Sequence, residues 1–281
     1  MSKPILRQFI NLWTLSEHPS PTREWSLEKK IAAIKEAGFW GFTTAAKAEH
    51  GKLARKIGLG VIGYISSGNP REFAKLLRQN KDAGAHHINV QLADHDTLTP
   101  EALGLTLRLM DEAGKLGLEA AVEVHRDTCT ETPEKAYALA DAYRKVTGEL
   151  LPLTWDFSHL AVVKHLWPAD TYVPRLLTHP DLIQRAQQFH LRPFNGHHCQ
   201  IPVTDGRGKL APEFKAWLPF SEALLRMWLK GNCGKSREIF VCPEMGPIHP
   251  ADYRLACMPP SWDDALVLAG EIDKLWRKLN R

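Results

Sequence analysis

The stretch "LEAAVEVHRDTCTETPEKAYALADAYRKV" (residues 118–146) decides the fold. Its opening, "LEAAVEVH" (118–125), is a short, mainly apolar run, as a parallel strand buried on both faces should be. After a short loop, Thr132-Pro133 opens a helix: Thr caps the free N–H groups and Pro fits the first turn. The strand does not end in apolar residues. It ends in Glu123 and His125, with Asp127 just beyond.

The same unit recurs along the whole chain. Strands are predicted at 5–13, 39–45, 59–66, 86–93, 118–125, 151–158, 191–199 and 237–244. Helices are predicted at 26–38, 50–58, 70–84, 99–117, 132–146, 179–189, 219–231 and 261–279. Apolar residues fall at helical spacing, as in Ile31, Ile34 and Ala37. Gly38, Gly58, Gly84, Gly117 and Gly231 sit where C-caps belong. Eight strand–helix units in 281 residues predict an α/β fold, a (β/α)₈ TIM barrel forming a single domain over 1–281. An open doubly wound sheet is the competitor. It usually carries a Gly-rich turn after its first strand, and "INLWTLSEHPS" (10–20) has none. The longest irregular pieces, 160–178, 200–218 and 245–260, each follow a strand and are therefore expected on the barrel's catalytic face.

Composition narrows the function classes. The formal net charge is +4 with no run of five like charges, so no nucleic-acid partner is indicated. No apolar stretch reaches the ~18 residues of a membrane span. Polar residues interrupt the N-terminus, and no targeting segment is read there. Five Cys, an odd number without C-x-x-C spacing, argue against a disulfide framework and fit a cytoplasmic location.

In a barrel, polar residues at the C-terminal ends of strands read as site rather than core. Strand 1 offers Asn11, with Trp13 just after it. Strand 4 offers Asn89, Gln91 and Asp94, and strand 5 Glu123, His125 and Asp127. Strand 6 offers Asp156 and His159, strand 7 His197, His198 and Gln200, and strand 8 Glu244. Strands 5 to 8 are neighbours, so three carboxylates and an imidazole converge. Without a cation the carboxylates would repel and raise one another's pKa. No Lys or Arg is expected to point inward at those ends, Arg126 having the opposite parity to Glu123. One divalent ion is the simplest neutraliser. The donor set suits Mn²⁺, Mg²⁺ or Co²⁺, and it also admits Zn²⁺. Each residue alone has a structural reading as salt-bridge partner, helix cap or loop residue. The joint pattern on four consecutive strands favours the metal.

Glu123 in "VEVHRD", Asp156 and His159 in "TWDFSH", His198 in "NGHHCQ" and Glu244 in "CPEMGP" form an order that resembles the xylose-isomerase-like TIM barrel superfamily, the sugar phosphate isomerases and epimerases. The resemblance spans the barrel and is strongest over strands 5 to 8. It implies that Glu123, Asp156, His198 and Glu244 bind the metal and that Glu123 and Glu244 serve as acid and base. It also implies a substrate-hydroxyl contact at His159. His198 is preferred to His197 because His198-Cys199-Gln200 resembles the family's strand-7 ligand motif. A basic residue on the following loop is expected, with Arg207 or Lys209 as candidates. Endonuclease-IV-like relatives need further His on strands 2 and 3. This chain has Thr43-Thr44 and Ile65-Ser66 there, so a DNA-repair site is not expected.

The expected activity is a divalent-metal-dependent sugar isomerase or epimerase. It would transfer a proton next to a carbonyl through a metal-stabilised enediolate. Gln91, His125, His159, Gln200, Asn11, Trp13 and Arg207 are the expected substrate-binding residues. The partner is a small carbohydrate, with homo-oligomerisation left open. Two rivals share the ligand pattern: a lyase or dehydratase of keto-sugars or 3-keto-glycosides, and a non-catalytic sugar-binding barrel.

Overall fold

The computed structural model describes residues 3–234, 236–249 and 252–281. Eight parallel strands close into one barrel in sequence order, β1 to β8, with β8 pairing back to β1. The strands are β1 (Ile5–Asn11), β2 (Gly41–Thr44), β3 (Gly60–Ser67), β4 (His87–Leu92), β5 (Glu119–Val124), β6 (Leu153–Trp155), β7 (Gln188–His190) and β8 (Glu238–Cys242). This is the predicted (β/α)₈ architecture. The helices between them are α1 (Leu27–Glu36), α2 (Ala48–Ile57), α3 (Phe73–Asp82), α4 (Thr99–Lys115) and α5 (Pro133–Thr147). Then come α6 (Phe157–Val163), α7 (Tyr172–Leu176), α8 (Pro180–Arg185), α9 (Pro212–Asn232) and α10 (Ser261–Leu279). Among the described residues, no helix is long and apolar enough to cross a membrane.

The caps follow from the sequence. Ser26 Oγ accepts from Lys29 N at 3.3 Å and Thr132 Oγ1 from Lys135 N at 3.2 Å, each satisfying a free donor of a first turn. Gly58 and Gly148 end α2 and α5 at φ of 68° and 76°, in the left-handed region that glycine enters without steric cost.

Most apolar burial lies between the barrel wall and the helices, where Trp155, Trp217 and Trp228 are fully enclosed. A second, separate cluster of Phe9, Ile62 and Phe240 packs together, the two Phe rings edge-on at 5.3 Å. These side chains plug the lower barrel interior, and each contributes roughly 1.5–3 kcal/mol by leaving water. Gly41 makes room for the plug, because a Cβ there would fall 2.5 Å from the Phe9 ring and 2.1 Å from Gly60 O. With the bottom closed by hydrocarbon, the polar inward residues above it open only at the C-terminal ends of the strands.

Strand 7, α9 and the 160–178 segment differ from the sequence prediction. Strand 7, predicted at 191–199, lies at Gln188–His190 and overlaps the end of the helix predicted at 179–189. Pro193 cannot donate to a ladder, so the pairing stops before it. α9 begins at Pro212 rather than 219 and runs through Pro219. The 160–178 segment is not one loop but carries α7 and part of α6.

Candidate metal centre

β5 ends by turning Glu123 into the barrel, where it is 1% exposed. Its Oε2 accepts from Asn89 Nδ2 at 2.7 Å and Gln91 Nε2 at 3.0 Å, both from β4. Tyr64 on β3 donates its hydroxyl to Gln91 Oε1 at 2.6 Å and so holds that amide. Glu123 Oε1 is left facing the barrel axis.

Asp156 follows β6 directly and caps α6. Its Oδ1 accepts from Ser158 N at 3.0 Å and Ser158 Oγ at 2.5 Å. Capping spends one carboxylate oxygen and leaves Oδ2 turned into the site. There it meets His159 Nε2 at 3.2 Å and Arg192 Nη2 at 3.3 Å. Glu244, two residues past β8, accepts from Asn11 Nδ2 at 3.1 Å on Oε1 and lies 2.8 Å from Arg192 Nη2 on Oε2.

The imidazole among these carboxylates belongs to His190, the last residue of β7. Its Nδ1 is 2.9 Å from Glu123 Oε1 and 3.0 Å from Glu244 Oε2. Glu123, Asp156, His190 and Glu244 are all buried, and one potential ligand atom from each lies within 4.8 Å of the others. Asp156 Oδ2, His190 Nδ1 and Glu244 Oε2 are buried and lack a hydrogen-bond partner despite these short approaches. That is a site in which donor atoms converge on one point rather than on each other.

The electrostatics favour positive charge at the centre of this group. Burial works to lower the His190 pKa, yet the charges of Glu244 and Glu123 outweigh it and hold it well above the usual value. Burial works to raise Glu244, but Arg192 and His190 bring it down to about 2. Asp156 is likewise held far below the usual carboxylate range against its burial, by His159 and Arg192. His159 is pushed down to about 4, burial outweighing the pull of Asp156. Three carboxylates carry three negative charges and Arg192 returns one. With His190 neutral, a divalent cation balances the remainder.

A cavity of about 360 Å³ opens over this cluster. Of the sequence-predicted residues, Asn11, Trp13, Gln91, His125, Glu123 and Glu244 line it. Thr43, Thr44 and Tyr64 add a neutral polar wall from β2 and β3. Tyr253, from the loop after β8, packs edge-on against Trp13 at 5.2 Å and lies under the Arg192 guanidinium at 4.0 Å. Gly246 permits that packing, since a Cβ there would meet Tyr253 at 2.6 Å.

Several sequence-predicted residues lie elsewhere. His198 is not with the carboxylates: it is exposed on the loop after β7, held through Asn195 Oδ1, and His197 is exposed beside it. The misplaced strand is the cause, because His190 is the histidine that actually ends β7. His159 is fully buried behind Asp156, its ring 3.8 Å from that of His125, and it does not line the cavity. Gln200 is also buried away from it, clamping Gly246 through both amide arms at 2.6 and 3.0 Å. Arg207 is exposed, in a turn whose N–H groups bind Asp205. The expectation that no basic residue points inward is overturned by Arg192, only 2% exposed. A signal for both missed residues was present: in "QFHLR" (188–192), polar Gln188, His190 and Arg192 alternate with apolar Phe189 and Leu191, the period of a strand. Tyr64 and Tyr253 carried no such signal.

No protein-family model matches the chain, and no curated protein matches it in sequence. Solved structures do. A D-allulose 3-epimerase from Methylomonas sp. in complex with D-allulose has a TM-score of 0.59 at 16% identity, covering 99% of this chain and 99% of that one. A 3-keto-D-glucoside 4-epimerase from E. coli has a TM-score of 0.53 at 15% identity, covering 96% and 99%. A xylose isomerase-like TIM barrel protein from Mycobacterium smegmatis in complex with magnesium has a TM-score of 0.51 at 16% identity, covering 87% and 89%. The chain therefore shares the (β/α)₈ TIM-barrel fold of these structures.

Proposed function

We propose that this chain is a divalent-metal-dependent sugar isomerase or epimerase. The observation that carries the reading is the buried group of Glu123, Asp156, His190 and Glu244, converging beneath an open cavity. These four residues would hold the ion. The unpartnered buried atoms Asp156 Oδ2, His190 Nδ1 and Glu244 Oε2 match a hard cation with one nitrogen ligand. The epimerases named among the structural neighbours support the substrate class, and the magnesium-containing neighbour supports the ion.

When bound, the ion supplies Lewis acidity for the negative charge that develops on a carbonyl oxygen as the adjacent carbon loses its proton. The chain's residues do the rest. Asn89 and Gln91 fix Glu123 through Oε2, so Oε1 is the oxygen positioned to take or return a proton. Glu244 is braced on both oxygens from the other side of the ring, Oε1 by Asn11 and Oε2 by Arg192. Two carboxylates in separate, braced positions suit removal and return of a proton on opposite faces of one carbon. Trp13 and Tyr253 cover the site with ring surface that excludes water and fits the apolar face of a sugar. The neutral wall of Thr43, Thr44 and Tyr64 offers hydroxyls to sugar hydroxyls.

The test is incubation with ketohexoses, D-allulose among them, in deuterated water with Mn²⁺. Deuterium at a carbon beside the carbonyl together with a second epimer or isomer supports the reading. Loss of a substituent instead would make it a lyase, and absence of exchange with every ketose tried would overturn it.

A further inference from the structure

Gln188 is fully buried on β7, two residues before His190 and on the same face of the strand. Its amide Nε2 lies 2.9 Å from His190 Nε2, the ring nitrogen turned away from the carboxylates. Gln188 Oε1 has no hydrogen-bond partner. The amide also lies against the ring of His87, whose two nitrogens likewise have none. His87 Nδ1 in turn faces Glu119 Oε2 at 3.8 Å. A buried unpaired acceptor is costly, so a row of them calls for another assignment.

The two arms of an amide have nearly the same shape, and their partners decide which is the oxygen. One choice gives both His190 Nε2 and the amide oxygen a partner. The oxygen faces His190 and accepts from Nε2–H. The NH₂ arm faces His87 and donates to a ring nitrogen, which burial keeps neutral against the pull of Glu119. The remaining His87 N–H points to Glu119. The opposite choice turns Oε1 toward His87 without forming a hydrogen bond. It also places the single proton of a neutral His190 on Nδ1, where the lone pair is needed.

We infer that Gln188 is a positioning residue for the metal centre: its amide oxygen holds the His190 proton on Nε2 and keeps Nδ1 free to ligate a divalent cation. This rests on the metal reading above. An outer partner of this kind fixes both the tautomer and the ring angle of a ligating histidine.

The test is calorimetric titration of the metal-stripped full chain with Mn²⁺, comparing wild type, Gln188→Met and Gln188→Glu. Gln188→Met keeps the length and removes the acceptor, and it should weaken binding by about 10- to 100-fold. Gln188→Glu keeps an acceptor and should bind at least as tightly as wild type. If wild type binds and Gln188→Met binds equally well, the role of Gln188 is overturned while the metal centre stands. If wild type binds no Mn²⁺, both fall. A measurement on wild type alone guards against misfolded variants. In ¹⁵N-labelled protein loaded with Mg²⁺, the His190 proton should sit on Nε2, and the Nδ1 resonance should be the one that moves on loading. A proton on Nδ1, with Nε2 moving instead, overturns the inference.

Discussion

Arg192 Nη2 sits 2.8 Å from Glu244 Oε2, inside the ring of carboxylates rather than at its edge. The guanidinium does part of a cation's work, and it also limits what else is needed. Removing it leaves the buried carboxylates Glu244 and Asp156 without the guanidinium that faces both. Breaking a buried ion pair from one side costs about 3–5 kcal/mol. Arg192→Met is therefore expected to destabilise the metal-free chain by about that amount, read from urea unfolding. Saturating Mn²⁺ should recover part of the loss. A change within about 0.5 kcal/mol, the scale of a surface substitution, would mean the pairing is not formed.

Proton transfer at two carboxylates predicts that neither can be neutralised. Glu123→Gln and Glu244→Gln each keep shape and hydrogen bonding but remove the base. Each should lower solvent deuterium exchange into a ketose by more than ~10²-fold. If one variant retains nearly full exchange while losing product formation, that residue acts on only one face of the carbon.

The correction at strand 7 is directly testable. His190→Ala should abolish tight Mn²⁺ binding, whereas His198→Ala, on an exposed loop, should leave it at the wild-type level. The reverse pattern would restore the assignment made from the motif around His198-Cys199-Gln200.

That reversal marks how far the sequence could be read. The barrel was legible because each unit repeats a buried strand, a capped helix and a glycine stop. Glu123, Asp156 and Glu244 were legible because each is the carboxylate where an apolar run stops. His190 was not, because Gln187 and Gln188 extend the polar pattern of α8 and blur where helix ends and strand begins. Its neighbour Arg192 was lost with it. Tyr253 comes from a loop, and its place beneath Arg192 depends on the close approach at Gly246, which no periodicity records. His159 and Gln200 were found as site-region residues. Their roles here, bracing Asp156 and Gly246, follow from packing rather than from residue type.

Buried histidines in the barrel interior also set a pH response. Burial lowers the His87 pKa, with Glu119 pulling the other way and Gln188 and the Phe240 ring close by. In the unfolded chain the ring takes a proton near pH 6.5. Between that pH and the lower folded value, the unfolded state binds more protons. The His87 contribution is thus present above pH 6.5 and is lost as the pH falls. His159, at about 4 when folded, acts in the same direction over the window from about 6.5 down to 4. His87→Leu should make the acid limb of the stability profile shallower over the upper part of that window. An unchanged slope would show that His87 protonates alike in both states.

The most direct measurement is anomalous diffraction from a crystal soaked in Mn²⁺. The predicted result is a single peak bounded by Glu123, Asp156, His190 and Glu244, with Arg192 beside it and His198 outside it. A map with no peak among those four residues at saturating manganese would contradict the account.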